Sequence, residues 1–225
     1  MSEDMKQRTE AWYAERIGKC TGSRVADVIA KTKSGPSASR KNYLAELVCE
    51  RLTGQKSEGF TSAAIQWGID HEAEARELYT AQTFNEVVEV GFVDHPTIAM
   101  AGCSPDGLVG DDGLIEIKAP NTATHIENLM RRDADPKYFA QMQMQMACTG
   151  RKWCDFVSFD PRLPGDLSIF IHRVERDEAF IAEMEKDIRA FLEELDVTVE
   201  ALKHYADTPE PSKEEAPKKK GRRAA

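Results

Sequence analysis

Ser104-Pro105-Asp106-Gly107 is followed by Glu116, ten residues on from the aspartate, and then Lys118, within the apolar run Leu114-Ile115-Glu116-Ile117-Lys118. Two carboxylates can hold a hard divalent cation, and a lysine two residues past the second lies on the same face of a strand, because strand side chains alternate. Ile115 and Ile117 are then expected to point into a core, and Glu116 and Lys118 to share a face beside Asp106. Hydrolysing a phosphodiester needs an activated water, neutralised phosphate charge and a stabilised leaving oxygen, all of which divalent metals supply. In this reading Asp106 and Glu116 are metal ligands and the Ile117 carbonyl adds a third oxygen. Lys118 orients or helps deprotonate the attacking water and touches the phosphate. Magnesium suits such ligands, with manganese as a substitute. The same letters also describe an exposed hairpin with a surface Glu/Lys pair. The flanking isoleucines and the Pro-Asp-Gly turn favour the site.

The elements that must position these residues are read from periodicity. A short helix is expected over Glu10 to Arg16. A second runs from Arg24 to Lys31 with Ser23 as its N-cap, then a Ser/Gly/Pro loop from Lys33 to Ser39. Tyr43 to Leu52 carries a helical stripe closed by Gly54, and Thr61 to Gln82 is a long helix with Trp67, Ala75, Leu78 and Tyr79 inward. Strands are expected over Glu86 to Val93, Ile98 to Ala101, Gly107 to Val109 and Leu114 to Lys118. Pro136 opens a helix through Ala147, Trp153 to Phe159 and Leu167 to Val174 are two more strands, and Asp177 to Tyr205 is an acidic amphipathic helix. The order predicts an α/β fold, with a mixed central sheet flanked by helices and an N-terminal helical addition. One nuclease domain is expected over residues 1–208, with a disordered basic tail over 209–225.

Two further groups bear on chemistry. The long helix carries Asp70, His71, Glu72 and Glu74, of which Glu72 is placed to reach the metal cluster. No second histidine follows His71-Glu72 at zinc-protease spacing. In Tyr138-Phe139-Ala140-Gln141-Met142-Gln143-Met144-Gln145-Met146, positions 138, 141, 142 and 145 share a helix face. Gln141 is a candidate for holding phosphate or the water nucleophile, and the methionines read as core filling.

Composition sets bounds. The chain has 225 residues, 41% of them apolar, and a net charge of -9. The charge is uneven: residues 1–60 hold eleven Lys/Arg against eight Asp/Glu, whereas residues 61–120 hold two against eleven. An acidic centre suits a metal site, and a locally basic surface suits DNA. No apolar run reaches the roughly eighteen residues of a membrane span, and the polar N-terminus is unlike a signal peptide, so the host cytoplasm is expected. The five scattered cysteines include no Cys-x-x-Cys and read as reduced thiols.

Taken together, these blocks resemble the lambda-type phage recombination exonucleases of the alkaline-exonuclease (YqaJ) family, within the restriction-endonuclease-like PD-(D/E)xK superfamily. The matching stretches are Trp12 to Gly18, Thr21-Gly22-Ser23, Ile29-Ala30-Lys31, Trp67-Gly68 with Glu72 and Ala75-Arg76, Cys103 to Leu108, Gly113 to Pro120, Tyr138 with Ala140-Gln141 and Gln143, and Phe159 to Arg162. The resemblance implies a magnesium-dependent exonuclease, with two ions per site, that digests the 5′ strand of linear duplex DNA. It leaves 3′ overhangs for a single-strand annealing protein in phage recombination. It implies a homotrimeric ring around DNA ends. Asp106 and Glu116 then bind metal, Lys118 is the catalytic lysine, and Glu72 and Gln141 assist. Arg16, Ser23 and Ser104 hold the 5′-phosphate, with Lys33 as a fourth member where the family's best-known member has arginine. Which residue pries apart the terminal base pair stays open, with Ile65 one candidate. The alternatives are an endonuclease on the same core and a non-catalytic DNA-binding ring.

Overall fold

The computed structural model describes residues 7–33, 35–57 and 62–205. The tail expected from Pro209 and the start of the helix expected from Thr61 lie outside them. In chain order the elements are α1 (Glu10–Arg16), β1 (Cys20–Thr21), α2 (Val25–Ile29), the hairpin β2 (Lys31–Thr32) and β3 (Gly35–Pro36), α3 (Ala38–Thr53) and α4 (Ala63–Thr83). Then come β4 (Val87–Val88), β5 (Val93–Asp94), β6 (Ala101–Cys103), β7 (Gly107–Val109), β8 (Gly113–Lys118), α5 (Thr122–Arg131), α6 (Phe139–Thr149), β9 (Trp153–Phe159), β10 (Ile169–Glu175) and α7 (Glu178–Lys203).

A mixed five-stranded sheet has the order β10-β9-β8-β7-β4, with β8 and β9 parallel and the other neighbours antiparallel. A smaller sheet has the order β1-β6-β5. The main sheet is sandwiched. On one face Ile115, Ile117, Val157 and Phe159 pack with Ala75 and Tyr79 of α4. On the other, Leu114, Cys154 and Phe156 pack with Met142 and Met146 of α6. Each fully buried Leu, Ile or Met contributes about 1.5–3 kcal/mol relative to exposure. The alternation that buries Leu114 against α6 aims Glu116 and Lys118 the same way. A third cluster joins α2, α3, α6 and α7 through Val25, Leu47, Met144, Ile188 and Phe191, so α6 is buried nearly all round, Gln143 and Gln145 included.

The architecture is the expected α/β core, and several boundaries differ. Ser23 lies within a 3-10 turn (Gly22–Arg24) and caps no helix; α2 is one short stretch, because the chain turns at Ala30 into the hairpin. The expected strand from Glu86 to Val93 is two short strands in different sheets. Ile98 to Met100 is a turn leading into β6, with Met100 at φ 61. Trp67 is only half-buried, at a cavity mouth. The helix α5 was not expected, although Asn121 is its N-cap and accepts a hydrogen bond from the Thr124 backbone N–H.

Candidate active site

Asp106 sits in the turn between β6 and β7, where Pro105 and Gly107 flank it. Gly107 is required by close approach: a Cβ there would meet Val87 Cγ1 at 2.2 Å. The turn brings Asp106 against β8, whose Ile117 backbone N–H donates to Asp106 Oδ2 at 2.7 Å. Glu116 is completely buried beneath α6. Gln141 and Gln145, one helical turn apart, donate through their Nε2 atoms to Glu116 Oε1 at 2.6 Å and Oε2 at 2.5 Å. Lys118 Nζ forms an ion pair with Glu116 and lies 4.9 Å from the Tyr138 ring centroid.

Beside these carboxylates stands a cation-lined pocket. Trp12 Nε1 and Arg16 Nη1 both donate to Ser104 Oγ, at 2.9 and 3.1 Å, and the Arg16 guanidinium lies over the Trp12 ring at 4.1 Å. Arg16, Ser23, Ser104, Asp106, Glu116, Lys118 and Gln141 line one cavity of about 180 Å3. Glu72 and the backbone-bearing Ile117 line an adjoining cavity of about 670 Å3 that also reaches Asp106 and Lys118. Glu72 is engaged there by ion pairs with Arg8 and with Arg76. Lys33 is exposed at the tip of the β2–β3 hairpin and lines neither cavity. Ile65 is half exposed at the mouth of the larger one.

Electrostatics set the character of the site. Burial pushes the Asp106 carboxyl well above its ordinary range, and the charges of Glu116 and Glu72 push it further; Lys118 and the Ile117 N–H oppose this. Lys118 is raised above the usual lysine value, because the Glu116 and Asp106 carboxylates outweigh its burial. Desolvation lowers Arg16. Among the described residues no group of three or more His, Cys, Asp and Glu side chains is arranged around a metal position. The donors that fit one are Asp106, Glu116 and the Ile117 carbonyl, all hard oxygens, with Glu72 tied back by its arginines. Carboxylates crowded in this way around one lysine lack positive charge, and a divalent cation would supply it.

The sequence puts Gln145 on the same helix face as Gln141 but gives it no role; in the structure it is the second amide on Glu116. Gln141, the candidate for holding phosphate or water, lines both cavities and donates to Glu116. Gln143 points elsewhere, donating to Glu175 O and accepting from the Asp177 N–H.

Residues 11–152 match the model of the YqaJ-like viral recombinase domain. The chain belongs to that family. Its fold is similar to the crystal structure of an alkaline exonuclease (LHK-Exo) from Laribacter hongkongensis, at 56% identity and a TM-score of 0.83, covering 88% of this chain and 98% of that one. The same relative solved in complex with dAMP gives the same figures. A phage-related exonuclease from Haemophilus somnus 129PT is similar in fold, at 16% identity and a TM-score of 0.68, covering 82% of this chain and 96% of that one. No curated protein matches the chain. The family member described here is of the alkaline-exonuclease type, with a restriction-endonuclease-like fold.

Proposed function

We propose that the protein is a magnesium-dependent exonuclease that digests the 5′ strand of linear double-stranded DNA and leaves 3′ overhangs. The observation that carries this is the meeting of Asp106, Glu116 and Lys118 with Arg16 and Ser104 around one cavity. That is a phosphodiester-cleaving cluster beside a phosphate-binding one. The dAMP complex of the 56%-identical relative supports a deoxynucleoside monophosphate product.

Magnesium held by Asp106, Glu116 and the Ile117 carbonyl would supply Lewis-acid stabilisation of charge at the scissile phosphate. Ser104 Oγ accepts from both Trp12 and Arg16, so its own proton is left to donate to a terminal phosphate. Arg16 adds a planar guanidinium to that end, and Ser23 a hydroxyl. Lys118, kept protonated by two carboxylates, orients the attacking water and contacts the phosphate. Gln141 fixes the rotamer of Glu116. A homotrimeric ring, and hand-over of the overhang to a single-strand annealing protein in the host cytoplasm, complete the reading on the family's pattern. Among the described residues no helix is long and apolar enough to cross a membrane.

Digestion of linear duplex DNA with magnesium, each strand end-labelled and the 5′ ends either phosphorylated or hydroxylated, tests the reading. Loss of the 5′ strand only, faster with phosphate and abolished in Lys118→Ala, is expected. Nicking of circular DNA would replace this reading with an endonuclease, and cleavage-free DNA binding would replace it with a scaffold.

A further inference from the structure

The larger cavity holds a feature that the cleavage chemistry does not use. Arg162, on the turn after β9, lies over the Trp67 ring at 4.5 Å and is gripped from behind by Asp160. Nε reaches Asp160 Oδ1 at 2.7 Å and Nη2 reaches Oδ2 at 3.0 Å, with Nη2 also 3.5 Å from Pro120 O. Asp160 is fully buried, whereas the Arg162 side chain is 47% exposed. Nη1 makes no hydrogen bond among the described residues, so one edge of the fork is left for a ligand.

A stacked, carboxylate-braced guanidinium with one open edge is pre-ordered for a phosphate. Its place in the molecule says which one. The cavity beneath it runs past Asp106 and Lys118, and Lys137 stands on its wall as a second cation. The Arg16–Ser104 pocket lies in the smaller cavity, which shares Asp106 and Lys118 with the larger one. A strand whose terminal phosphate sits at Arg16 and whose scissile phosphate sits at Lys118 continues into the larger cavity. We propose that Arg162, braced by Asp160 and Trp67, is an anchor for the backbone phosphate of the retained nucleotide, one linkage beyond the scissile bond on the strand being digested. This rests on the exonuclease reading above and deepens it. The anchor holds the strand in register after each cut, so it contributes to KM and to the number of nucleotides removed per encounter.

The test uses duplexes with one neutral methylphosphonate linkage, placed either one position beyond the first scissile bond or at the matching position of the complementary strand. In the wild type the first placement lowers kcat/KM for the first cut roughly tenfold, the value of one charge-assisted hydrogen bond, and the second leaves it unchanged. Arg162→Ala lowers kcat/KM on unmodified DNA by a similar factor, chiefly through KM, and is then indifferent to the methylphosphonate. Because Arg162→Ala leaves Asp160 buried without its partner, the double variant Asp160→Asn/Arg162→Ala is measured alongside and is expected to behave alike. Retention of the full methylphosphonate penalty in both variants, or a penalty that follows the complementary strand, overturns the proposal. Metal-dependent cleavage of unmodified DNA by the wild type shows in the same experiment whether the exonuclease reading stands by itself.

Discussion

Glu116 on β8 and Asp155 on β9 are both buried carboxylates on neighbouring core strands, 0% and 3% exposed, and the fold treats them in opposite ways. Asp155 faces α4 and β10. Arg173 grips it through Nε at 2.8 Å and Nη2 at 2.9 Å, and the Tyr79 hydroxyl donates to it at 2.8 Å. Its charge is matched by one guanidinium and it borders neither active-site cavity. Glu116 faces α6, where two of its neighbours are neutral amides and its one cation, Lys118, is shared with Asp106. A carboxylate that serves only the fold is neutralised within the fold. At Glu116 and Asp106 the balance is left short beside a cavity, which is the condition for taking up an external cation or a substrate.

The sharpest way to break this comparison is to neutralise each carboxylate in turn. Glu116→Gln is expected to lower kcat/KM for duplex digestion by about 10²–10³-fold or more, with little change in Tm. Asp155→Asn is expected to keep the activity of the folded enzyme within about twofold. It should cost about 2 kcal/mol of stability, less than a fully buried pair because Arg173 is half exposed. Kinetics and thermal unfolding of both variants decide it. Equal destabilisation with equal loss of activity would erase the distinction.

The next effect separates the glutamines of α6. Gln145→Met removes an amide from Glu116 Oε2 while conserving volume, and is expected to lower activity 10–100-fold, as loss of a ligand's orienting partner does. Gln143→Met leaves Glu175 O and the Asp177 N–H without a partner where β10 turns into α7. It is expected to cost about 1–3 kcal/mol of stability while activity per folded molecule holds. Urea unfolding midpoints beside steady-state rates check both. If Gln143→Met proves the more damaging to turnover, α6 is a scaffold and not the clamp of Glu116.

These alternating roles explain how much was legible in the sequence. Period-two and period-3.6 patterns are local, so β8, β9 and α7 could be read closely, and Asp106, Glu116 and Lys118 followed from strand alternation plus a turn; α3 was found but starts at Ala38, five residues before its apolar stripe. The shared face of Gln141 and Gln145 was local and legible, but that both amides meet Glu116 depends on how α6 docks on β8, a long-range fact. The same holds for Arg162, which packs on Trp67 from an element far away in sequence. The two-residue strands β4 and β5 read as one because the valine alternation runs on through Gly91, the one residue between them that signals an interruption. Lys33 was placed in the phosphate pocket by resemblance, and its hairpin lies outside both cavities.

The smallest predicted effect concerns a second carboxylate of the internally balanced kind. Asp160 is held down to about 2 by hydrogen bonds and charge from Arg162 and a hydrogen bond from Thr122, which prevail over its desolvation. Its folded value lies below its unfolded one, so its stabilising contribution is complete above roughly pH 4 and is lost as the pH falls through about 2. Asp106 is displaced the other way, so the two aspartates must not be read from a single acid transition. Tm measured from pH 5 to pH 2 for the wild type and Asp160→Asn is expected to show a gap favouring the wild type at pH 5 that closes toward pH 2. A gap independent of pH would mean that Asp160 contributes through hydrogen bonds that an amide or a neutral carboxyl also makes. The guanidinium it braces would then need no buried charge to stand in place.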